Sequence, residues 1–232
     1  MFLFDIRYLI FMIPAFILMG ITSWYVRHAY NKWSQVRSIS GLTGADAAQR
    51  LITNSGLYGV RLEGIAGEMT DHYDPQDKVL RLSYNVARGN SVASLAIAAH
   101  ELGHAMQDAD GYFPLRLRAA LVPAVNIGSN LGWILIMIGL FLNFTQLAWI
   151  GVIVFAAGAV FALATLPVEF DASARAKRLL ADTGIIRTED EARGVNTVLN
   201  AAALTYVAAL VTAVMQLLYY VSLVAGVGRS RD

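Results

Sequence analysis

The chain has 232 residues, of which 56% are hydrophobic and only 15% are charged, and its mean hydropathy is +0.52. This composition is too apolar for a soluble domain of this length and indicates a membrane protein. The 18 Lys and Arg nearly cancel the 17 Asp and Glu, so no basic excess indicates nucleic-acid binding, and the apolar content excludes a disordered chain. There is no cysteine, so disulfides, thiolate metal sites and cysteine nucleophiles are excluded and any metal must be bound by His, Asp or Glu.

Four apolar runs are long enough to cross a membrane as helices. The first, residues 8–26, carries no charge, and about 20 apolar residues span a bilayer core. No small-x-small cleavage site follows it, so we expect an uncleaved anchor rather than a signal peptide. The runs near 119–144 and 147–166 are separated by a short polar turn and predict a transmembrane hairpin, and the last run covers about 201–227.

The spans divide the chain into five predicted segments. These are a first transmembrane anchor (1–26), a first polar segment (27–118), the hairpin (119–166), a second polar segment (167–200), and a last transmembrane helix with a short tail (201–232). Four crossings place both polar segments on one side of the membrane. That side has the larger number of Lys and Arg residues near the span ends, so the positive-inside rule predicts that it is the cytoplasmic side of the inner (plasma) membrane. The basic residues are Arg27, Lys32, Arg37, Arg116, Arg118, Arg175, Lys177, Arg178, Arg187 and Arg193 on this side, against Arg7, Arg229 and Arg231 on the other.

Local signals predict the elements of the polar segments through helix caps, apolar alternation and turn residues. The first polar segment is predicted to contain a helix from Thr43 to Asn54, strands near 60–62 and 79–83 with a turn at Asp74 and Pro75 between them, and a buried helix capped by Asn90 or Ser91. The second polar segment is predicted to contain a helix opened by Pro167 and a capping box of Thr188 and Glu191 that leads to the last span.

Residues 100–104 read His-Glu-Leu-Gly-His, the H-E-x-x-H pattern, inside the predicted buried helix. Residues four apart lie about 40° apart around a helix, so both imidazoles can reach one Zn²⁺ at about 2.0–2.1 Å. Glu101 then lies beside the metal without binding it, where it can accept a proton from a zinc-activated water. The alternative is a pair of core histidines beside a chance glutamate, which is disfavoured because such buried polar groups are costly without a partner.

A catalytic zinc usually has three protein ligands and one open position, so a third ligand is needed. No histidine follows His104 at the spacing of the metzincins. Glu169 comes directly after the third apolar run and lies on the same side as the zinc motif in the predicted topology, with Asp171 as the next candidate. His28 and His72 are also available, and Glu169 has the alternative interpretation of a carboxylate that complements a helix N-terminus.

Four segments, residues 70–75, 79–83, 98–107 and 169–173, together resemble the YugP family of bacterial membrane zinc metallopeptidases. The order of the spans agrees, so the resemblance covers nearly the whole chain. More distantly, the chain resembles the HtpX-type and CAAX-processing gluzincin peptidases, in which the third ligand is a Glu that opens a Glu-x-x-x-Asp motif. The resemblance implies that Glu169 is the third zinc ligand.

Ser173 stands where the distant pattern has Asp, so the carboxylate that would orient a zinc-bound imidazole is missing. We expect Ser173, Asp171 or a backbone carbonyl to orient the zinc-bound imidazole instead. Candidate donors to the oxyanion of the reaction are His72, Arg175 and Tyr206, each with a purely structural alternative. The resemblance also implies that residues 79–83 bind substrate as an added strand, the alternative being an ordinary covered strand.

The sequence therefore predicts a mainly α, helical integral membrane protein with four transmembrane helices and a gluzincin-like zinc peptidase core carrying a small β element. We expect a Zn²⁺-dependent endopeptidase of membrane or membrane-proximal polypeptides, with His100, His104 and Glu169 as ligands and Glu101 as general base. The alternative, a non-proteolytic zinc-binding membrane scaffold, is disfavoured because structural zinc normally has four protein ligands. The expected partners are a polypeptide substrate and the lipid bilayer; a membrane-protein partner or a homo-oligomer is left open.

Overall fold

The structure, a computed structural model, describes residues 6–229, with side chains as far as Gly226. Helices make up most of it, and one small sheet is inserted between the second and third helices. The elements are α1 (Ile6–Ser34), α2 (Gly44–Asn54), β1 (Arg61–Ile65), β2 (His72–Asp74), β3 (Val79–Ser83), α3 (Tyr84–Arg88), α4 (Val92–Ala109), α5 (Phe113–Phe141), α6 (Thr145–Phe155), α7 (Ala157–Asp182) and α8 (Glu189–Arg229).

Four helical stretches are long and apolar enough to cross a membrane: Ile6–Ser34, Phe113–Phe141, Thr145–Asp182 and Glu189–Gly226. They confirm the predicted mainly α membrane fold with a small β element. The described chain divides into two compact units. The first contains the residues up to 22, 116–166 and those from 205 onward, and the second contains 23–115 and 167–204. We treat the helical parts in the first unit as the membrane-spanning segments; the five segment boundaries drawn from hydropathy stay predictions.

In the first unit, α5 and α6 form a closely packed hairpin. The helix α5 ends at Phe141 and is followed by Asn143, whose φ is 53°. The amide of Phe144 donates to the carbonyl of Gly139 at 2.7 Å, as in a Schellman cap. A Cβ on Gly132 would lie 2.7 Å from the backbone nitrogen of Phe155, so only glycine permits this approach.

In the second unit, α4 is the central helix. Its first turn is capped by Ser91, whose side chain accepts from the amide of Ser94 at 3.1 Å. Leu95 and Leu102 of α4 are fully buried in a core to which α1, α2, α7 and α8 also contribute. This burial explains why the helix that carries the zinc motif is apolar on most sides.

The sheet corrects one expectation about residues 79–83. The strand order is β1-β3-β2, with β3 parallel to β1 and antiparallel to β2, so β3 is the central strand and not an open edge for substrate. The strand β2 was not predicted from the sequence, which gave only a turn at Asp74 and Pro75. Just before the start of β2, the carboxylate of Asp71 accepts from the amide of Ser83 at 2.8 Å, so the backbone amide of the last residue of β3 is also bonded.

A second correction concerns Pro167, which was predicted to open a helix. It lies inside α7, which begins at Ala157. An internal proline removes one helical hydrogen bond and costs about 3 kcal/mol. Here Val168, Ala172 and Ala176 follow at spacings of four and are fully buried, so packing continues the helix through the proline.

Both predicted capping boxes are present. Thr43 and Asp46 bond to each other's backbone at the start of α2. At the start of α8, the side chain of Thr188 accepts from the amide of Glu191, and the carboxylate of Glu191 accepts from the amide of Thr188, both at 3.3 Å. The same buried carboxylate also accepts from the amide of Ile39 and the hydroxyl of Ser38, each at 2.9 Å, and so joins α8 to the segment after α1.

Candidate metal centre

The backbones of α4 and α7 lie close together at Gly103, the fourth residue of the H-E-x-x-H motif. A Cβ on Gly103 would lie 2.5 Å from the carbonyl oxygen of Ala172. Contacts on either side of this point, between Gln107 and Val168 and between His100 and Ser173, show that the two helices run antiparallel. The glycine thus allows the motif helix to lie directly against the backbone that carries Glu169.

Three candidate ligands meet at this crossing. The Nε2 atoms of His100 and His104 lie 3.3 and 3.6 Å from Oε2 of Glu169, and one donor atom from each residue lies within 4.8 Å of the other two. The side chain of Glu169 is only 3% exposed and those of the two histidines are 13% exposed. The imidazole rings stand edge to face with their centroids 4.9 Å apart.

These residues fit a zinc ion. Two imidazole nitrogens and a carboxylate oxygen are ligand types that zinc takes in catalytic sites. In a tetrahedral site with bonds of about 2.0–2.1 Å, neighbouring ligand atoms are about 3.3 Å apart. The observed nitrogen–oxygen separations of 3.3 and 3.6 Å are close to this value. His100, His104 and Glu169 could therefore hold zinc with little rearrangement.

The far nitrogen of each imidazole has a polar partner. Nδ1 of His100 lies 3.2 Å from the hydroxyl of Ser173, one of the residues proposed from the sequence for this part. Nδ1 of His104 lies 3.0 Å from Oε1 of Gln107. The sequence reasoning did not consider Gln107 for this role. The feature of the sequence that could have indicated this role is a polar amide one turn after His104, in a helix that is otherwise nearly apolar.

The electrostatics of the three candidate ligands are those of a site that attracts positive charge. Burial acts to raise the pKa of Glu169, but hydrogen bonds and charge interactions with His100 and His104 together outweigh it, and the pKa is lowered. Burial acts to lower the pKa of His104, but Glu169 and Glu101 outweigh it, and the pKa is raised. A divalent cation would satisfy the same carboxylates that otherwise favour a proton on the imidazole.

Glu101 follows His100 on α4 and is half-buried. Its pKa is raised: burial is the largest cause, the neighbouring imidazoles act to lower the pKa, and the carboxylates of Glu169 and Asp71 act to raise it. An elevated pKa of this kind is what a general base needs in order to pass a proton on later as an acid.

The remaining candidates lie in different surroundings. His72 is exposed on β2, with Nδ1 2.8 Å from the carbonyl oxygen of Thr70. The guanidinium of Arg175 is bound by two carboxylates, Asp171 at 2.6 Å and Asp110, which favours a structural role. The ring of His28 stacks on Trp24 in α1. Tyr206 lies on α8. The roles suggested for His72, Arg175 and Tyr206 in oxyanion binding stay predictions.

Comparisons with known proteins identify the family of the chain. Residues 8–225 match the family model described as "Putative neutral zinc metallopeptidase". The chain is 42% identical over 216 residues to "Putative membrane protease YugP" of Bacillus subtilis (strain 168), an alignment that covers 92% of this chain and 96% of that protein. No solved structure matches the chain. The protein therefore belongs to the YugP-type family of membrane zinc metallopeptidases.

Proposed function

We propose that the protein is a zinc-dependent endopeptidase that hydrolyses peptide bonds of membrane or membrane-proximal polypeptides, with its catalytic segments facing the cytoplasm. In this proposal His100, His104 and Glu169 bind the metal, and Glu101 is the general base. The observation that carries it is the convergence of two Nε2 atoms on one oxygen of Glu169, at 3.3 and 3.6 Å, next to an ionisable carboxylate outside this set.

When bound, zinc supplies Lewis acidity, which polarises a peptide carbonyl and lowers the pKa of a water molecule. Glu101 accepts a proton from the attacking water and later donates it to the leaving amine nitrogen. Both transfers suit a carboxyl group whose pKa is raised by burial. Glu169 and the two imidazoles hold their positions through the contact between α4 and α7.

The proposed substrate class follows from the order of the chain. Glu169 comes three residues after Leu166, the end of the third apolar run, so one metal ligand is tied in sequence to a membrane span. A site with this connection favours substrates that are embedded in the membrane or close to it. Lys and Arg residues near the span ends are more numerous on the side of the polar segments than on the other side, which supports the cytoplasmic orientation.

The test is a comparison of detergent-purified parent with Glu101→Gln, measuring both zinc content and cleavage of an unfolded test polypeptide. We expect the variant to bind zinc like the parent and to lose at least about 10²-fold in cleavage rate, the lower end of general acid–base contributions. The matched control is Glu189→Gln, the same substitution at an exposed position, which should change neither property. Cleavage by Glu101→Gln at the parent rate would refute the mechanism, and a parent that binds zinc but cleaves no polypeptide would favour the scaffold alternative.

A further inference from the structure

The side chain of Gln107 lies in the interface between α4 and α7 and is fully buried. It follows His104 by three residues, so it lies one turn further along the same face of α4. A buried amide must satisfy its two donors and its acceptor, because each unsatisfied group costs about 1–3 kcal/mol. The partners of Gln107 therefore constrain the orientation of its amide.

The amide nitrogen has two acceptors, both on α7. It donates to the carbonyl oxygen of Val168 at 2.8 Å and to Oδ2 of Asp171 at 2.9 Å. Neither acceptor can donate a hydrogen bond in return, since one is a backbone carbonyl and the other a carboxylate. A flipped amide would bring its oxygen against two acceptors, so the oxygen must remain on the side that faces His104.

This orientation determines which nitrogen of His104 carries hydrogen. The oxygen of Gln107 can only accept, so Nδ1 of His104, 3.0 Å away, must be the donor. In a neutral imidazole the other nitrogen then has a free lone pair. That nitrogen, Nε2, is the one that faces Glu169.

On this basis we propose that Gln107 is a positioning residue for metal binding: held by Val168 and Asp171, it keeps His104 in the tautomer whose Nε2 is free for zinc. This inference rests on the proposed function, since it assumes that His104 is a zinc ligand. Asp171 accepts a hydrogen bond from Arg175 at 2.6 Å, and Arg175 also donates to Asp110, the residue after α4. The position of Asp171 is therefore stabilised by contacts with both helices.

Ser173 cannot do the same for His100. Its hydroxyl lies 3.2 Å from Nδ1 of His100, but a hydroxyl can donate or accept and so does not select a tautomer. The tautomer is therefore selected for His104 but not for His100. The loss of the Gln107 acceptor should weaken metal binding more than the loss of the Ser173 hydroxyl.

The experiment measures zinc affinity by chelator competition in the detergent-purified full chain, together with the visible absorption spectrum of the Co²⁺-substituted protein and the melting temperature. Gln107→Met keeps the length of the side chain but removes the acceptor, and we expect about a 10- to 100-fold loss of zinc affinity and an altered cobalt spectrum. In Gln107→Glu, either carboxylate oxygen can accept from Nδ1 of His104, but the donations to Val168 and Asp171 are lost. We therefore expect a lower melting temperature than in the parent but a zinc affinity within about threefold of it. Gln49→Met, at an exposed position of α2, is the matched control and should bind zinc like the parent.

Parent-like affinity in Gln107→Met, or equal losses in Gln107→Met and Gln107→Glu, would overturn the proposal. Should Gln107→Met fail to fold, Gln107→Glu decides: parent-like affinity supports the role of the acceptor, and a loss of tenfold or more overturns it. The proposed function is judged separately, by zinc in the parent and by the inactivity of Glu101→Gln. A zinc-loaded, active parent with an unaffected Gln107→Met would remove only the role of Gln107.

Discussion

Gly103→Ala tests whether the backbone contact between α4 and α7 determines the geometry of the metal centre. The new Cβ would lie 2.5 Å from the carbonyl oxygen of Ala172, whereas ordinary contact begins near 3.4 Å. The helices must therefore separate by about 0.9 Å at this point, or remain in place under strain. Glu169 lies about one turn from Ala172 on α7, so it should move with that helix.

Zinc–ligand distances tolerate deviations of only about 0.2 Å, so zinc binding has to pull the helices back together. Overpacking of this kind costs typically about 1–3 kcal/mol, which corresponds to zinc affinity about 5- to 150-fold weaker than in the parent. Chelator competition measures the affinity, and thermal unfolding in detergent measures the accompanying loss of stability.

The matched control is Gly158→Ala, the same substitution on α7 at a position where a Cβ meets nothing within 4 Å. It should bind zinc like the parent and melt at the same or a slightly higher temperature, since alanine favours a helix over glycine. If Gly103→Ala also binds zinc with parent affinity, the close approach of the two backbones does not set the ligand positions, and the reasoning is refuted.

Three further outcomes are expected. Burial acts to raise the pKa of Glu191, but hydrogen bonds from Arg187, Ile39, Ser38 and Thr188 outweigh it, and the pKa is lowered from an ordinary value near 4.5. Its stabilisation is therefore present above pH 4.5 and lost as the pH falls below it, so Glu191→Gln should cost about 1.5–3 kcal/mol at pH 7 and progressively less in acid, measured by chemical unfolding at several pH values; a deficit independent of pH would contradict this. Ser173→Asp places a carboxylate next to Nδ1 of His100 and should strengthen zinc binding about tenfold in chelator competition, whereas weaker binding would count against Ser173 as the partner of that imidazole. Because the chain has no cysteine, single cysteines report topology: an impermeant maleimide should label Leu142→Cys in intact cells and Gln76→Cys only after permeabilisation, and the reverse pattern would place the polar segments outside.

The four spans could be predicted from the sequence because a bilayer requires long apolar helices and leaves few alternatives. Both capping boxes were also correct, since each depends only on residues three apart, as in Thr188 and Glu191. The H-E-x-x-H motif is equally local, because one helical turn brings its two histidines onto one face. The prediction that Glu169 is the third zinc ligand rests on topology and on a family resemblance, because no local pattern links it to His100.

Long-range pairing explains what the sequence reasoning missed. The strand β2 has three residues and is too short to show alternation, so nothing indicated that a third strand would pair with β3 and make it central. Because proline disfavours helix interiors, the sequence predicts a helix start at Pro167, but the buried face of α7 outweighs that preference. Gln107 could be assigned only once its acceptors on α7 were known.

The two imidazoles precede the carboxylate by 65 residues, counted from His104 to Glu169, and the intervening chain includes the hairpin of α5 and α6. A ribosome-bound chain that has not reached residue 169 therefore carries two nitrogen donors without their oxygen donor. We expect such nascent chains to capture metal weakly and to lack peptidase activity. Under the proposed function, catalytic competence would then arise only after the hairpin of α5 and α6 has been synthesised.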